Sequence, residues 1–195
     1  MTATTTDYRQ RLLHLLAERA LFFGDFTLAS GKKSDHYFDC RKITRTPEGL
    51  FLIGHVFYDT ILALDPATNG IGGMTMGADP ICDAVSIISF MNNNPIETVI
   101  VRKEEKTHGM SKDLVGNIDK ISKIAIVDDV FTTGGSTLKA IDVIEKYPNV
   151  SIIGAIALVN REEGAKENLA MRGIKASAIF TKSEILNFAR PQGKT

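Results

Sequence analysis

The spacing of apolar residues predicts two helices and a hairpin in the first third of the chain. A first helix, which Asp7 is placed to cap, is indicated by apolar residues that share one face: Leu12, Leu15, Leu16 and Ala20. Residues 22–41 alternate like an extended hairpin, whose return strand carries Tyr37 and Phe38. Thr46 followed by Pro47 predicts the start of a second helix.

From residue 70 onward, short apolar runs alternate with helical patterns. The predicted order is an apolar run at 70–76, a helix from Asp79, strands at 97–102 and 123–127, a helix at 136–146, a strand at 151–159, a helix at 161–171, a strand at 174–180 and a helix at 183–189. Residues 103–120 are polar and irregular. Strands that alternate with helices need crossover connections, so we expect an α/β fold with a mostly parallel, twisted sheet flanked by helices. The chain is predicted to be a single domain, 1–195, in which residues 1–45 form a small N-terminal hood.

Composition narrows the class of protein. Lys plus Arg and Asp plus Glu both total 23, and a net charge of zero argues against bulk electrostatic binding of nucleic acid. The cysteines, Cys40 and Cys82, lack the spacing of a metal site, so we expect reduced, packed thiols. The N-terminus has no apolar run suited to a signal peptide, and no segment approaches the roughly 18 apolar residues of a membrane helix. These features predict a cytoplasmic protein with no membrane partner.

The most informative stretch is IAIVDDVFTTGGST, residues 124–137. An apolar strand ends at the paired acids Asp128 and Asp129, and a loop with two glycines then opens a helix. Glycines let consecutive backbone N–H groups approach a phosphate, and the helix N-terminus adds partial positive charge. Four hydroxyl side chains could donate further hydrogen bonds to the phosphate: those of Thr132, Thr133, Ser136 and Thr137. Because carboxylates bind phosphate poorly, the two acids are expected to accept hydrogen bonds from vicinal ribose hydroxyls.

A plain strand–turn–helix with capping hydroxyls would explain the glycine turn alone, but not the paired acids beside it. The stretch is neither a Walker A loop nor a GxGxxG fingerprint. DDVFTTGGST resembles the signature with which type I phosphoribosyltransferases bind phosphoribosyl pyrophosphate (PRPP). The resemblance implies that fold. It also implies a PRPP site made by a continuous set of residues: Asp128, Asp129, Val130, Phe131, Thr132, Thr133, Gly134, Gly135 and Ser136.

A second motif, RKEEKTHGM, begins where the strand at 97–102 ends. It concentrates cationic or potentially cationic side chains in a polar loop: Arg102, Lys103, Lys106 and His108. Such a loop is often only a solvated surface. At the carboxyl edge of a sheet, however, its charges would stabilise a departing pyrophosphate, and a mobile loop would exclude water.

RKEEKTHG resembles the flexible loop of orotate phosphoribosyltransferases. The resemblance implies that Arg102, Lys103, Lys106 and His108 contact PRPP, with Lys106, Asp128 and Asp129 as the catalytic residues. It also implies a homodimer, in which the loop covers the neighbouring subunit's site.

Other segments are similar to the same family. FTLASGKKSDHYFDCR, residues 26–41, is similar to its N-terminal motif, MTMGADP at 74–80 to its pyrophosphate turn, and LVNREEG at 158–164 to a strand end. The resemblance implies that orotate is contacted by Thr132, Arg161, Tyr37 and Phe38. A guanidinium suits a carboxylate, although a lone Arg at a helix start is more often a surface residue. Ala29 and Met76 depart from the pattern, because some members carry lysines there that help to hold PRPP.

The implied reaction displaces Mg-pyrophosphate from the anomeric carbon of PRPP with a nitrogen of orotate. Mg²⁺ is expected to be held mainly by PRPP oxygens and water, with no dedicated protein metal site. Two alternatives stay open from the sequence. One is transfer to another base, and the other is a PRPP-sensing module without turnover. A direct assay of base preference tests the first alternative, and orotate-dependent release of pyrophosphate from PRPP tests the second.

Overall fold

A computed structural model describes residues 4–27, 33–103 and 113–190 of the chain. Its main feature is a six-stranded sheet with the strand order β5-β4-β3-β6-β7-β8. The strands are β3 (Gly70–Met74), β4 (Glu97–Val101), β5 (Leu114–Gly116), β6 (Lys123–Phe131), β7 (Ser151–Asn160) and β8 (Ala176–Thr181). All neighbouring pairs are parallel except β4 with β5, which form an antiparallel edge. The predicted mostly parallel α/β sheet is confirmed.

The N-terminal part folds as helix α1 (Thr5–Leu15), a π-helical turn at Leu16–Ala20, and an antiparallel hairpin of β1 (Leu21–Thr27) and β2 (Lys33–Phe38). The prediction that Asp7 is the N-cap is wrong by one turn. Thr4 is the cap, and Asp7 lies three residues later, where its carboxylate accepts from the Thr4 N–H at 2.9 Å. A capping box of this kind needs a hydroxyl residue followed by an acceptor at the third helical position.

The remaining helices cover both faces of the sheet. They are α2 (Arg41–Thr44), α3 (Pro47–Leu64), α4 (Asp79–Met91), α5 (Gly135–Ile144), α6 (Ala165–Met171) and α7 (Lys182–Ala189). Side chains alternate along β6, so Ala125 and Val127 join the core under α1, α3 and α4, whereas Ile124 and Ile126 join the core under α5 and α6. A central strand that is apolar on both faces is what a doubly covered parallel sheet requires.

The structure differs from the predicted boundaries at several points. Strand β6 continues to Phe131, so Asp128 and Asp129 lie within the strand and not after it. The stretch predicted as irregular contains β5 and a 3-10 turn at Ile118–Lys120, and α2 was not predicted. Helix α6 begins at Ala165, four residues later than predicted.

Over the described part of the chain, no helix is both long enough and apolar enough to cross a membrane. Cys40 and Cys82 are both buried free thiols. Burial raises the pKa of each well above the ordinary value of a thiol, so both stay protonated.

Candidate active site

A cavity of about 500 Å³ opens at the carboxyl ends of the central strands. Its walls come from α2, from the turn between β3 and α4, from the end of β4, and from β6 with the start of α5. The lining residues are Arg41, Arg45, Met74, Thr75, Met76, Gly77, Lys103, Asp128, Asp129 and Ser136. The sheet therefore brings Lys103, Asp128, Asp129 and Ser136, which the sequence assigned to one site from separate motifs, to one cavity.

Asp128 is the most enclosed polar group of the cavity, at 5% exposure. Its Oδ2 accepts from the Ser136 hydroxyl at 2.9 Å and from the Thr137 hydroxyl at 3.4 Å, and its Oδ1 accepts from the Asp129 N–H at 3.0 Å. The Ser136 and Thr137 hydroxyls, which the sequence offers as phosphate donors, both donate to Asp128 in this structure, and their role towards a phosphate stays a prediction. The carboxylate ties the end of β6 to the first turn of α5.

Burial and the neighbouring Asp129 carboxylate raise the pKa of Asp128 from 3.8 to about 7, against the opposing effect of the Ser136 hydroxyl. A carboxyl whose pKa is higher in the folded state than in the unfolded chain stabilises the fold while it is protonated. That contribution is complete below pH 4 and is lost as the pH rises through 7. Because this pKa is about 7, the protonated and ionised forms of Asp128 coexist at neutral pH, and a ligand that donates to the carboxylate would favour the ionised form.

Asp128→Asn is expected to stabilise the free protein at pH 8 by about 1–3 kcal/mol, because the amide cannot ionise. Denaturant unfolding of both proteins between pH 5 and pH 8 measures the difference. The advantage of the variant should shrink towards pH 5, where Asp128 is protonated. A difference in unfolding free energy that does not change with pH would show that ionisation of Asp128 does not limit stability.

The loop from Thr132 to Gly135 turns the chain from β6 into α5. Gly134 is the N-cap in the left-handed region, at φ 80°, where a side chain would be strained. The Leu138 N–H donates to the Gly134 carbonyl at 2.9 Å, so the N–H groups of Gly135, Ser136 and Thr137 precede the helical ladder. N–H groups at a helix start, together with the helix dipole, are able to bind an anion.

Two glycines let the β3–α4 turn approach β6. A Cβ on Gly73 would lie 2.2 Å from the Val127 carbonyl oxygen. A Cβ on Gly77 would lie 2.5 Å from Asp128 Oδ1 and 2.8 Å from Asp129 Oδ1. The neighbouring Thr75–Met76 peptide bond is cis, and the Thr75 hydroxyl donates to Asp79 at 3.2 Å. The turn thus forms the wall that faces the paired acids.

Three cationic side chains also line the cavity: Arg41, Arg45 and Lys103. Lys103 was predicted, but Arg41 and Arg45 of the α2 region were not predicted as site residues. Arg41 donates to both carboxylate oxygens of Asp39, at 2.7 and 3.1 Å, and these hydrogen bonds raise the pKa of its guanidinium. Arg41 and Arg45 are four residues apart, so a short helix puts them on one face. That spacing is the signal that could have found them, had the helix itself been recognised.

Arg161 lies directly after β7, and its N–H donates to the Phe131 carbonyl at 2.8 Å, beside the end of β6. Its side chain is 14% exposed, and one guanidinium nitrogen lies 2.9 Å from Glu163. The Arg161 Nε is buried and has no hydrogen-bond partner within the described residues. A buried charged donor without an acceptor is costly unless a ligand supplies one.

The predicted aromatic contacts fall on opposite faces of β2. Tyr37 is 37% exposed and packs against Phe26, with 5.6 Å between ring centroids, whereas Phe38 is 7% exposed and belongs to the core. Alternate strand residues point to opposite sides, so only one of them can face a given pocket.

The other predicted residues vary in their accessibility. Phe131 is fully buried, so it can offer a ligand only its backbone, and Val130 is half-buried. Thr132 is half-buried and Thr133 exposed. The motif RKEEKTHGM, residues 102–110, is called the basic loop below. The Arg102 N–H donates to the Asp113 carbonyl at 2.8 Å, so the chain segments on either side of residues 104–112 are joined. Lys106, His108 and Ala29 lie outside the described residues.

Comparison with known proteins identifies the family. No protein-family model matches the chain. The orotate phosphoribosyltransferase of Aquifex aeolicus (strain VF5) is 41% identical over 181 residues, which are 91% of this chain and 97% of that protein. The chain belongs to the orotate phosphoribosyltransferase family. Identity above 40% over nearly the full length of both proteins decides this.

Solved structures of the family have the same fold. Mycobacterium tuberculosis H37Rv orotate phosphoribosyltransferase in complex with Fe(III) dicitrate matches with a TM-score of 0.78 and 28% identity, over 91% of this chain and 98% of that one. The same protein in complex with PRPP matches with a TM-score of 0.72 and 26% identity, over the same shares. The type I phosphoribosyltransferase fold expected from DDVFTTGGST is thereby confirmed for this orotate phosphoribosyltransferase family member.

Proposed function

We propose that the chain catalyses transfer of ribose 5-phosphate from PRPP to orotate, giving orotidine 5'-phosphate and pyrophosphate in pyrimidine nucleotide synthesis. The observation that best supports this proposal is the cavity at the carboxyl ends of the central strands. In a member of this family, paired acids, the start of a helix and a group of cations converge at one edge of the sheet.

The ribose 5-phosphate end of PRPP fits the β6–α5 side. The N–H groups at the start of α5 are proposed to bind the 5-phosphate, which the paired carboxylates would repel. Asp129, half-buried at the cavity wall, accepts from the ribose hydroxyls. Asp128 joins it when a ribose hydroxyl replaces the Ser136 hydroxyl as donor. Gly134, Gly135 and the backbone from Val130 to Thr133 complete this side.

The diphosphate end fits the cationic side, where Arg41, Arg45 and Lys103 line the cavity. This arrangement supplies cations near Met76, where some family members carry a lysine. The roles of Arg102, Lys106 and His108 in covering the diphosphate stay predictions from the RKEEKTHG motif. A departing diphosphate gains charge, so cations that are already in place lower the barrier most.

Orotate binding is proposed beside the end of β6. The unpartnered Nε of Arg161 suits the orotate carboxylate, and Thr132 follows Phe131 at the same strand end. Of the two predicted aromatic contacts, Tyr37 is the more exposed, so it is the one proposed to contact the flat pyrimidine. Phe38 stays a prediction, and in the described state it supports the hairpin from the core.

Catalysis is proposed to come from positioning and charge, without a covalent nucleophile. Orotate nitrogen attacks the anomeric carbon while the bond to diphosphate breaks, so positive charge develops on the ribose ring. Asp129 and Asp128, which are proposed to accept from the ribose hydroxyls, would stabilise that charge with their carboxylates. The cations that line the cavity are proposed to hold the diphosphate as the bond to it breaks.

Mg²⁺ is proposed to bind this site mainly through the oxygens of PRPP. Across the described ranges, no group of three or more His, Cys, Asp or Glu side chains could hold a metal. Asp129 is a hard oxygen donor at the cavity wall, and it suits Mg²⁺ that keeps most of its ligands from phosphate and water. When bound, Mg²⁺ would neutralise part of the diphosphate charge.

We also propose that the protein acts as a homodimer in the cytoplasm, in keeping with its buried free thiols. Helices α3 and α4 expose large apolar side chains that line a groove of about 430 Å³: Phe51, Ile87 and Met91. Phe90 of α4 is also exposed. A patch of this kind favours protein contact over water. A second copy of the chain is the proposed occupant, and the basic loop would then reach the neighbouring site.

The decisive test combines the purified chain with PRPP, Mg²⁺ and a panel of bases. We expect orotate-dependent release of pyrophosphate, with adenine, hypoxanthine and uracil at least about 100-fold less effective, because a site built for a carboxylate rejects bases that lack it. Release with a purine would assign the chain to another base. Binding of PRPP without release with any base would favour the sensing module.

A further inference from the structure

Helix α6 contacts the phosphate loop through one side chain. The Asn168 Nδ2 donates to the Thr133 carbonyl oxygen at 2.9 Å, across 35 residues of sequence. The helix is firmly fixed, since Ala165 and Leu169 are 1% and 0% exposed and pack into the core beneath it. Positions 165, 168 and 169 share one helical face, so Asn168 points towards the loop from a rigid base.

This hydrogen bond sets the orientation of a peptide group in the loop. The peptide between Thr133 and Gly134 is trans, so its carbonyl and its N–H point in opposite directions. With the carbonyl held towards α6, the Gly134 N–H points away from α6. Gly134 itself lies against α6, because a Cβ there would be 3.5 Å from the Ala165 Cβ. Without Asn168, this peptide is free to turn its carbonyl towards the anion site.

We propose that Asn168 is a positioning residue for phosphate binding, acting through the Thr133–Gly134 peptide without touching the ligand. The proposal rests on the proposed function, which assigns the loop to the 5-phosphate of PRPP. Asp128 holds the first turn of α5, directly after the loop, through the hydroxyls of Ser136 and Thr137. The loop is thus fixed between β6 and α6, and a fixed array of N–H donors binds an anion better than one that must be ordered on binding.

Asn168→Ala is expected to raise the KM for PRPP about 5- to 10-fold, with kcat and the KM for orotate within about twofold of the wild type. The dissociation constant for ribose 5-phosphate, measured by calorimetry without orotate, should rise by a similar factor. Asn168→Gln keeps an amide donor and should lie closer to the wild type than the alanine variant. Asn92→Ala is the matched control, because it removes a similar amide-to-carbonyl bond of 2.8 Å at the end of α4.

Different outcomes separate the two proposals. An unchanged dissociation constant for ribose 5-phosphate in Asn168→Ala would overturn the positioning role. Equal losses for PRPP and orotate together with a lowered Tm would also overturn it, since they indicate general damage. If the wild type released no pyrophosphate with any base, the proposed function would fail. Weakened binding of ribose 5-phosphate in the variant would still support Asn168.

Discussion

Gly77→Ala is expected to lower kcat/KM for PRPP at least about 100-fold while the fold is retained. The added methyl would lie 2.5 Å from Asp128 Oδ1 and 2.8 Å from Asp129 Oδ1, so both carboxylates must move. Asp128 is held by three donors and is nearly enclosed, which leaves it little room to move without breaking contacts with α5. The displaced acids can no longer meet the ribose. Steady-state kinetics with varied PRPP measure the loss.

Gly70→Ala provides the contrast for this experiment. Gly70 begins the same strand, β3, at the edge away from the cavity, and a Cβ there would lie 2.4 Å from a side-chain carbon of Ile121. The expected result is a lowered Tm, with kcat/KM per folded molecule unchanged. Similar kinetic losses in Gly70→Ala and Gly77→Ala would contradict the assigned role of the β3–α4 turn, because general strain would then explain both.

The strand pattern could be predicted because β6 is apolar on both faces from Ile124 to Val127. The end of β6 could not be predicted, since a charged pair normally ends a buried strand. The strand continues because its ladder with β7 extends to Phe131, which pairs with Asn160 and is buried in the core. Tertiary pairing thus overrode the local signal of two acids. Strand β5 was not predicted because its three residues are too few to show alternation.

The candidate site could be predicted where residues act through their position in the sheet, but not where they act through a hydrogen bond. Lys103 and Asp129 follow from strand ends that meet at one edge. Sequence cannot tell which acceptor a hydroxyl chooses, so the hydrogen bond from Ser136 to Asp128 could not be predicted, and the role of Ser136 towards phosphate stays a prediction. The Asn168 bond to Thr133 joins segments whose packing only the fold determines. Tyr37 and Phe38 could have been separated from the sequence, because strand alternation already assigns them to opposite faces.

Arg41 and Arg45 change the charge balance that the sequence predicted for the site. The motifs alone assigned all the cations that contact the diphosphate to the basic loop. Diphosphate binding was therefore expected to depend on closure of that loop. The cavity instead has guanidinium groups from α2 in its wall, independent of that loop. Hydrogen bonds to Asp39 hold Arg41 in place and keep it charged. Diphosphate binding is therefore expected to begin on a rigid surface.

The double variant Arg41→Ala/Arg45→Ala is accordingly expected to raise the KM for PRPP about 30- to 100-fold, since two charge-assisted contacts are lost. At saturating PRPP, the KM for orotate should stay within about twofold of the wild type. The dependence of PRPP binding on ionic strength should also weaken, because fewer charges take part. Kinetics at two salt concentrations measure both effects.

Arg19→Ala/Arg172→Ala is the control that removes the same net charge elsewhere. Arg19 pairs with Glu18 on the π-helical turn. Arg172, at the end of α6, pairs with Asp142 and Glu145 at the end of α5. Neither arginine lines the cavity. Near-normal use of PRPP by this control would show that local cations, and not the net charge, attract the substrate. If both double variants bound PRPP as well as the wild type does, the α2 arginines would have no part in the site. The diphosphate would then have to be held by the basic loop alone.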